Sequence, residues 1–356
     1  MLPPGSTIGI LGGGQLGRMT ALAAARLGYR CHIFAPEEEC PAAEVAAAWT
    51  RAAYDDRSAL ARFARSVDVV TLEFENVPRE AVAFLSGFVP TRPSAEVLAT
   101  TQDRLAEKEL VRRLGIGVTD FLAVDTPADA EEAARALGLP FLLKTRRFGY
   151  DGKGQWRIET KEQAAAAFSA LGGVPALAEA FVDYSCEISV IVARTPDGRR
   201  LSYPPVRNEH RGGILHRTVV PAELPVGTAA RASEIAERLA EALAVEGLLA
   251  VEMFVTRDGR VLVNELAPRP HNSGHWTLDA CATSQFEQLV RAICGLPLGS
   301  VRRFFDATMV NLIGGEVDDW PTFLDAPDAR LHLYGKREVR PGRKMGHVTW
   351  LRPLGN

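Results

Sequence analysis

The sequence predicts an α/β protein of two or three domains that opens with a parallel sheet, and three observations carry that expectation. Strand and helix patterns alternate through residues 1–100. A strand ending in a lysine runs into a glycine-rich loop at 145–155, and two glutamates flank a hairpin at 252–265. With 356 residues, 47% of them hydrophobic, the chain exceeds what one core usually organises.

Thr7-Ile8-Gly9-Ile10-Leu11 is a short apolar strand, the turn Gly12-Gly13-Gly14-Gln15-Leu16-Gly17 follows, and residues 19–27 form an Ala-rich helix that ends at Gly28. Further strands are expected at 31–34 and 67–72. Ligands on parallel sheets bind beyond the carboxyl ends of the strands, where the glycine turn and Glu73-Phe74-Glu75-Asn76 both fall. Gly12, Gly14 and Gly17 match the dinucleotide fingerprint, and Glu37 falls about where a ribose-binding acid belongs, which raises a nicotinamide-dependent oxidoreductase as the rival from another enzyme class. Pro36 and the acidic turn Glu37-Glu38-Glu39 weigh against it. The glycines require only close approach of an anion to a helix N-terminus, so a phosphomonoester serves as well as a pyrophosphate.

Residues 139–144 read as a strand ending in Lys144. The loop that follows contains Gly149, Tyr150, Asp151, Gly152, Lys153, Gly154 and Gln155, and 156–158 resume an extended pattern. Such a loop can fold over phosphates with its backbone N–H groups while Lys144 neutralises charge from the side. It is not a Walker loop, because no helix follows at once and Gly-Lys-Ser/Thr is absent. A flexible surface hairpin is the plainer alternative. Glu179-Ala180-Phe181-Val182 then precedes a strand at 187–192, and a segment of that kind can offer edge backbone groups to a purine ring.

At the hairpin, a two-residue turn at Asp258-Gly259 fixes a register in which Glu252 lies opposite Glu265. Opposed residues have Cβ atoms roughly 4.5–5.5 Å apart, so two carboxylates repel there unless a positive group sits between them. Mg²⁺ is the simplest such group. It prefers one or two carboxylates with water and substrate phosphates, which points to a nucleoside triphosphate site, whereas the plain alternative is a solvated acidic face.

A net charge of -3 gives no basic footprint for nucleic acid. Cys31, Cys40, Cys186, Cys281 and Cys294 are scattered and lack Cys-x-x-Cys spacing, which argues for reduced thiols and against a disulfide framework or a zinc site. Neither a signal peptide nor a bilayer-spanning run is legible, so a cytoplasmic protein with no membrane and no nucleic-acid partner is expected.

The order of these parts resembles the ATP-grasp superfamily. Within it, the chain is similar to the 5-(carboxyamino)imidazole ribonucleotide synthase family of purine biosynthesis. The segments that carry the likeness include 12–19, Phe74-Glu75-Asn76-Val77, Gln102-Asp103-Arg104, 149–155, 264–276, Met309-Val310-Asn311-Leu312-Ile313 and 340–347, in family order over nearly the whole chain. The glycine loop at 149–155 and the run 264–276 are specific to this family among ATP-grasp proteins. Family members usually continue further than Asn356, and a difference in stability or dimer packing is expected there.

The resemblance implies an ATP-grasp fold of three domains (1–103, 104–182 and 183–356) with an N-terminal parallel-sheet, or pre-ATP-grasp, domain. It implies a ligase, a homodimer, that uses ATP, two Mg²⁺ ions, bicarbonate and 5-aminoimidazole ribonucleotide, and makes ADP, phosphate and the N-carboxylated ribonucleotide through carboxyphosphate. Another ATP-grasp carboxylate–amine ligase is the alternative within the fold, and a regulatory protein without turnover is a third. By the same likeness Arg104, Lys144 and the loop residues Gly149, Tyr150, Asp151, Gly152, Lys153, Gly154 and Gln155 hold the triphosphate. Glu179, Ala180, Phe181 and Val182 meet the adenine and Glu187 the ribose, with His210 and Asn264 completing that pocket. Glu252 and Glu265 bind magnesium, while Arg269, His271 and Asn272 position bicarbonate. Glu73, Tyr150, Asp151 and Ser273 hold the aminoimidazole ribonucleotide, whose phosphate meets Lys336, Arg343, Lys344 and the backbone at Gln15 and Leu16. Lys144, Asp151, Arg269, His271 and Asn272 are expected to act in the chemistry itself.

Some features have plainer readings. His271 and His275 have metal-ligand spacing, but Pro268 and Pro270 leave no assured helix, and anion contact is favoured. The cluster Arg340-Pro341-Gly342-Arg343-Lys344 reads equally as a solvated basic turn, and Trp276, Leu278, Phe286 and Leu289 as core.

Overall fold

Strand β1 (Thr7–Leu11) is buried along all but its first residue, and in the computed structural model, which describes residues 1–147, 149 and 154–355, it lies inside a four-stranded parallel sheet. Its neighbours are β2 (Arg30–Phe34) and β4 (Val69–Leu72), and β3 (Ala48–Thr50) extends the edge in the order β3-β2-β1-β4. Strand order reverses between β1 and β4, so the glycine turn after β1 and the loop after β4 meet at the switch point. Helix α1 (Gln15–Arg26) begins before the Ala-rich pattern, because the glycine turn feeds straight into it, and Gly28 ends the segment at φ +79°. Helices α2 (Arg57–Ala64), α3 (Arg79–Ser86) and α4 (Ala95–Thr101) complete this lobe. Helix α5 (Arg104–Arg113) follows, capped by the Asp103 carboxylate, which also accepts a two-pronged bond from Arg146 at 3.1 and 2.8 Å.

The middle unit is an antiparallel sheet of β5 (Phe121–Val124), β6 (Phe141–Thr145), β7 (Gln155–Ile158) and β8 (Ala176–Ala180), in the order β5-β8-β6-β7. Helices α6 (Pro127–Ala136) and α7 (Lys161–Ala170) cover one face, burying Phe141, Leu143, Ile158, Ala133 and Phe168 together. The period of two along β6 turns Leu142 and Lys144 to the opposite face. The glycine loop joins two strands, β6 and β7, as the sequence predicts, and Lys144 pairs with Gln155; Tyr150, Asp151, Gly152 and Lys153 lie outside the described residues.

The large sheet contains β9 (Tyr184–Arg194), β10 (Arg200–Ser202), β11 (Val206–Arg211), β12 (Ile214–Val220), β13 (Gly247–Thr256), β14 (Val261–Ala267), β15 (Phe305–Ile313), β16 (Ala329–Leu333) and β17 (Lys344–Pro353). Its order is β14-β13-β9-β11-β12-β15-β17-β16, with β10 paired to β9. Helix α8 (Val226–Ala242) buries Ile235 and Leu239 against Val190, Leu249 and Val251. Val111 of α5 and Ile116 join this same core, so residues 104–116 pack with the large sheet although the sequence division groups them with the lid. Beyond the short helix α9 (Thr277–Ala280), helix α10 (Gln285–Ile293) packs against α1, joining the parallel lobe to the large sheet. Trp276, Phe286 and Leu289 are core, as expected, and Leu278 packs at its margin.

Glu252 does face Glu265, but not through the turn that the sequence suggests. The hairpin loop has three residues, Arg257, Asp258 and Gly259, with Gly259 at φ +82° and Thr256 N–H bonded to Arg260 O at 2.9 Å. That loop sets Val255 against Val261 and Met253 against Val263, a register that would place Asn264 opposite Glu252. A bulge then inserts one residue and restores the Glu252–Glu265 pairing. As a result Asn264 and Glu265, though consecutive, both line the same cleft.

Candidate active site

The three sheets enclose a cleft of about 630 Å³. At one end Phe181, Tyr184, Leu142, Leu215 and Phe254 supply apolar walls, with the Tyr184 and Phe254 rings stacked 4.7 Å apart at 16°. Glu187 lies beside them, accepting the Tyr184 hydroxyl at 2.6 Å and bonded to His210 Nδ1. Burial disfavours charge on His210, but the Glu187 bond and the carboxylates of Glu252, Glu187 and Glu265 together outweigh it and raise the imidazole pKa.

Lys144 reaches the cleft from β6 and is held from behind by Glu179, whose Oε2 accepts its Nζ at 2.8 Å. Burial by itself raises the Glu179 carboxyl, yet Lys108 and Lys144 hold it down to about 2. Arg104 donates to Glu265 at 3.1 Å and to the Gly149 carbonyl at 3.3 Å, spanning cleft floor and lid. Glu252 bonds His271 Nε2 at 2.9 Å; burial raises its carboxyl, but that contact together with His210 and Lys344 nearby brings it down to about 2. The groups beside the two facing carboxylates are therefore the Arg104 guanidinium and the Nε2 donor of His271. Asn264 Oδ1, also at this end, is buried with no hydrogen-bond partner among the described residues.

His271 Nδ1 takes the Ser273 backbone N–H at 3.4 Å and lies 2.8 Å from the Ser273 hydroxyl, which assigns the ring proton to Nε2, facing Glu252. Asn272 exchanges amide bonds with Asn311, at 2.9 and 2.5 Å, and both amides are thereby locked. Arg269 is clamped by Glu75 from the loop after β4; burial raises that carboxyl, but the guanidinium prevails and lowers it.

At the far end the glycine turn already holds an anion that belongs to the chain. Glu73 Oε1 accepts the Gly14 N–H at 2.7 Å and Oε2 the Gly17 N–H at 3.1 Å. A Cβ on Gly12 would stand 2.4 Å from Glu73 Cγ, so the glycine makes room for this side chain. The amides that a dinucleotide pyrophosphate would use are thus engaged, which removes the oxidoreductase reading, and Glu39 of the acidic turn is bonded to the Arg337 N–H and to Arg343. Gln15 and Leu16 still line the cleft, as do Lys336 and Lys344.

The residues expected from the sequence are gathered in large part. Arg104, Lys144, Gly149, Gly154, Gln155, Phe181, Glu187, His210, Glu252, Asn264, Glu265, Arg269, His271 and Asn272 all line the cleft, as do Gln15, Leu16, Glu73, Lys336 and Lys344. Five of the described residues do not line it in this structure. Glu179 is spent on two lysines, Ala180 continues β8, Ser273 is fully buried against Ser189 and His271, and Arg343 is tied to Glu39 and the Glu338 carbonyl. Val182 also stands outside the lining. His275 is core, packed on Phe286 and His347, which removes the His271–His275 metal reading. Phe254, Tyr184, Glu75 and Asn311 went unread as site residues, although Phe254 shares the face of Glu252 by the period of two.

The ATP-grasp domain family matches residues 109–286, the ribonucleotide synthetase preATP-grasp domain family 5–102, and the phosphoribosylaminoimidazole carboxylase C-terminal domain family 307–353. The chain is 49% identical to the N5-carboxyaminoimidazole ribonucleotide synthase of Brucella melitensis, over 99% of this chain and 98% of that one. It is 45% identical to a bifunctional purine synthesis protein, purC/E, of Dictyostelium discoideum, over 98% of this chain but 37% of that protein. Among solved structures, N5-carboxyaminoimidazole synthase of Aspergillus clavatus, in complex with ADP and 5-aminoimidazole ribonucleotide, superposes with a TM-score of 0.91 at 32% identity, covering 98% of this chain and 94% of that one.

Proposed function

The chain belongs to the N5-carboxyaminoimidazole ribonucleotide synthase family of ATP-grasp ligases, and from that premise we propose how its cleft joins ATP, bicarbonate and 5-aminoimidazole ribonucleotide. The protein is an ATP-dependent ligase of purine biosynthesis, and its reaction is the N-carboxylation of the ribonucleotide. The observation that carries the assignment of its parts is the polarity of the cleft. Stacked aromatics and Glu187 stand at one end, Lys336 and the Gln15–Leu16 turn at the other, and Arg269, His271 and Asn272 line it too.

In this assignment adenine enters the apolar end, the ribose hydroxyls meet Glu187, and the phosphates run past Lys144 and Arg104 beside Gly149, Gly154 and Gln155. Glu252, Glu265 and Asn264 Oδ1, which has no hydrogen-bond partner among the described residues, form a hard oxygen set suited to Mg²⁺, which would spread the charge of the transferring phosphoryl group. Arg104 and His271 hold the two carboxylates in place until then. A bicarbonate oxygen attacks the γ-phosphorus in line with the departing ADP and forms carboxyphosphate, with Arg269 and Asn272 orienting the bicarbonate. The exocyclic amine then bonds to the carboxyl carbon as phosphate leaves, and the nitrogen loses one proton. Tyr150 and Asp151 are assigned to the ribonucleotide by the family likeness. The same likeness supports a cytoplasmic homodimer; no helix among the described residues is long and apolar enough to cross a membrane.

Bicarbonate labelled with ¹⁸O tests the route, because the attacking oxygen ends in the inorganic phosphate. Label in phosphate supports it, and unlabelled phosphate, the product of attack by water, rejects it.

A further inference from the structure

The bulge that aims Asn264 and Glu265 into the cleft is gripped by two adjacent residues of α5, and we propose that Glu107 and Lys108 are positioning residues for the nucleotide and metal end of the site. Glu107 Oε2 accepts the Leu266 N–H at 2.9 Å. Lys108 Nζ donates to the Asn264 carbonyl and to the Thr119 hydroxyl, both at 3.2 Å. The two bonds flank Glu265 on its N- and C-terminal sides. Lys108 also lies 3.4 Å from Glu179 Oε1, and Glu179 holds Lys144, so one chain of contacts ties the bulge to the lid strand β8 and to the lysine of β6.

Neither side chain lines the cleft, and each is almost wholly buried, at 3% and 1% exposed. Burying a glutamate and a lysine is costly unless each is bonded, and stability alone is served as well by apolar residues of similar size. What apolar residues cannot do is hold the backbone of an irregular ladder. A bulge leaves its extra residue outside regular pairing, so its orientation depends on groups from elsewhere. Here the Asn264 carbonyl is bonded while its side-chain oxygen has no partner among the described residues, so the backbone is fixed and the ligand group is left open.

The inference rests on the reading of Glu252, Asn264 and Glu265 as the magnesium–nucleotide end, and the test separates the two. ADP affinity is measured by calorimetry on the full chain, in Mg²⁺ and in EDTA, for wild type and for Glu107→Leu, Glu107→Gln, Lys108→Met and Glu265→Gln, each checked for folding by circular dichroism. The factor by which Mg²⁺ tightens ADP binding falls about 10- to 100-fold in Glu107→Leu and Lys108→Met, the usual range for residues that hold a ligand group in place. Glu107→Gln keeps that factor, because its amide oxygen still accepts the Leu266 N–H, and affinity in EDTA changes little throughout. A folded Glu107→Leu with the wild-type factor overturns the proposal, as does Glu107→Gln impaired to the same degree as Glu107→Leu. Unfolding of both apolar variants assigns the pair to stability alone and overturns it too. If Glu265→Gln keeps the factor, the metal-end reading fails; if it loses the factor while the α5 variants keep it, only the positioning role fails.

Discussion

Arg269 and Glu75 form a two-pronged ion pair, with Nη2 2.7 Å from Oε1 and Nε against Oε2, that joins the segment after β14 to the loop after β4. The clamp fixes the plane of the guanidinium, while Nη1 donates to the Pro270 carbonyl at 3.0 Å. Glu75→Ala is expected to lower stability by about 3 kcal/mol, the low end for a broken buried pair, because each side chain keeps some solvent contact. It should also raise the bicarbonate KM by about tenfold or more as the guanidinium loses its fixed orientation. Thermal unfolding and bicarbonate saturation curves check this; an unchanged bicarbonate KM would detach Arg269 from that substrate.

Glu252→Gln and Glu265→Gln should each reduce turnover by about 10²-fold or more, since losing a preorganised charge-stabilising contact costs about 2.7–4 kcal/mol. Their stability effect differs from that of two repelling carboxylates. Each glutamate has a hydrogen-bond donor as its partner, Glu252 the Nε2 of His271 and Glu265 the Arg104 guanidinium, so neutralising it should weaken that contact and lower the melting temperature. A rise in melting temperature for either variant would contradict these pairings.

Lys336→Ala should raise the ribonucleotide KM by about 10- to 100-fold, the loss of one bond to a charged group being about 1.5–3 kcal/mol, and Lys344→Ala should act similarly. Arg343→Ala should do less, because Arg343 is engaged with Glu39 and the Glu338 carbonyl. The ATP KM should hardly move. Turnover of the dephosphorylated nucleoside should be insensitive to all three changes, and equal weakening of nucleoside and nucleotide would refute a phosphate role.

Burial, with Arg343 and Lys344 nearby, pushes the Lys336 ammonium down to about 8. Lysine in an unfolded chain titrates near about 10.4, so this group is charged in the folded protein only below about pH 8. The kcat/KM for the ribonucleotide should therefore hold below that pH and fall above it, because this ratio follows the free enzyme. Between the two values the unfolded chain binds a proton the folded chain lacks, so this group adds stability as pH rises through that window. Lys336→Met should remove the alkaline limb; a limb that persists in the variant belongs to another group.

The parallel lobe, the lid strands and the glutamate hairpin were legible because each rests on local pattern. Even so, the facing of Glu252 and Glu265 follows from two deviations that cancel, a three-residue loop and a bulge, neither of which the Asp258-Gly259 dipeptide reveals. The glycine turn suggested a ligand anion at a helix N-terminus, but the group its amides contact is the carboxyl of Glu73, 59 residues away in sequence from Gly14. Partnerships of that span, like Arg343 with Glu39 or Asn272 with Asn311, arise only once the sheets are assembled. Lys108 reads in sequence as one more charge on an amphipathic helix, and only its contact with Asn264 O distinguishes it.

The most direct test of the central claim is ADP release by the purified protein with each substrate left out in turn. The account predicts release that requires Mg²⁺ and is strongly stimulated only when bicarbonate and 5-aminoimidazole ribonucleotide are both present. An ADP rate that is the same without the ribonucleotide would contradict it.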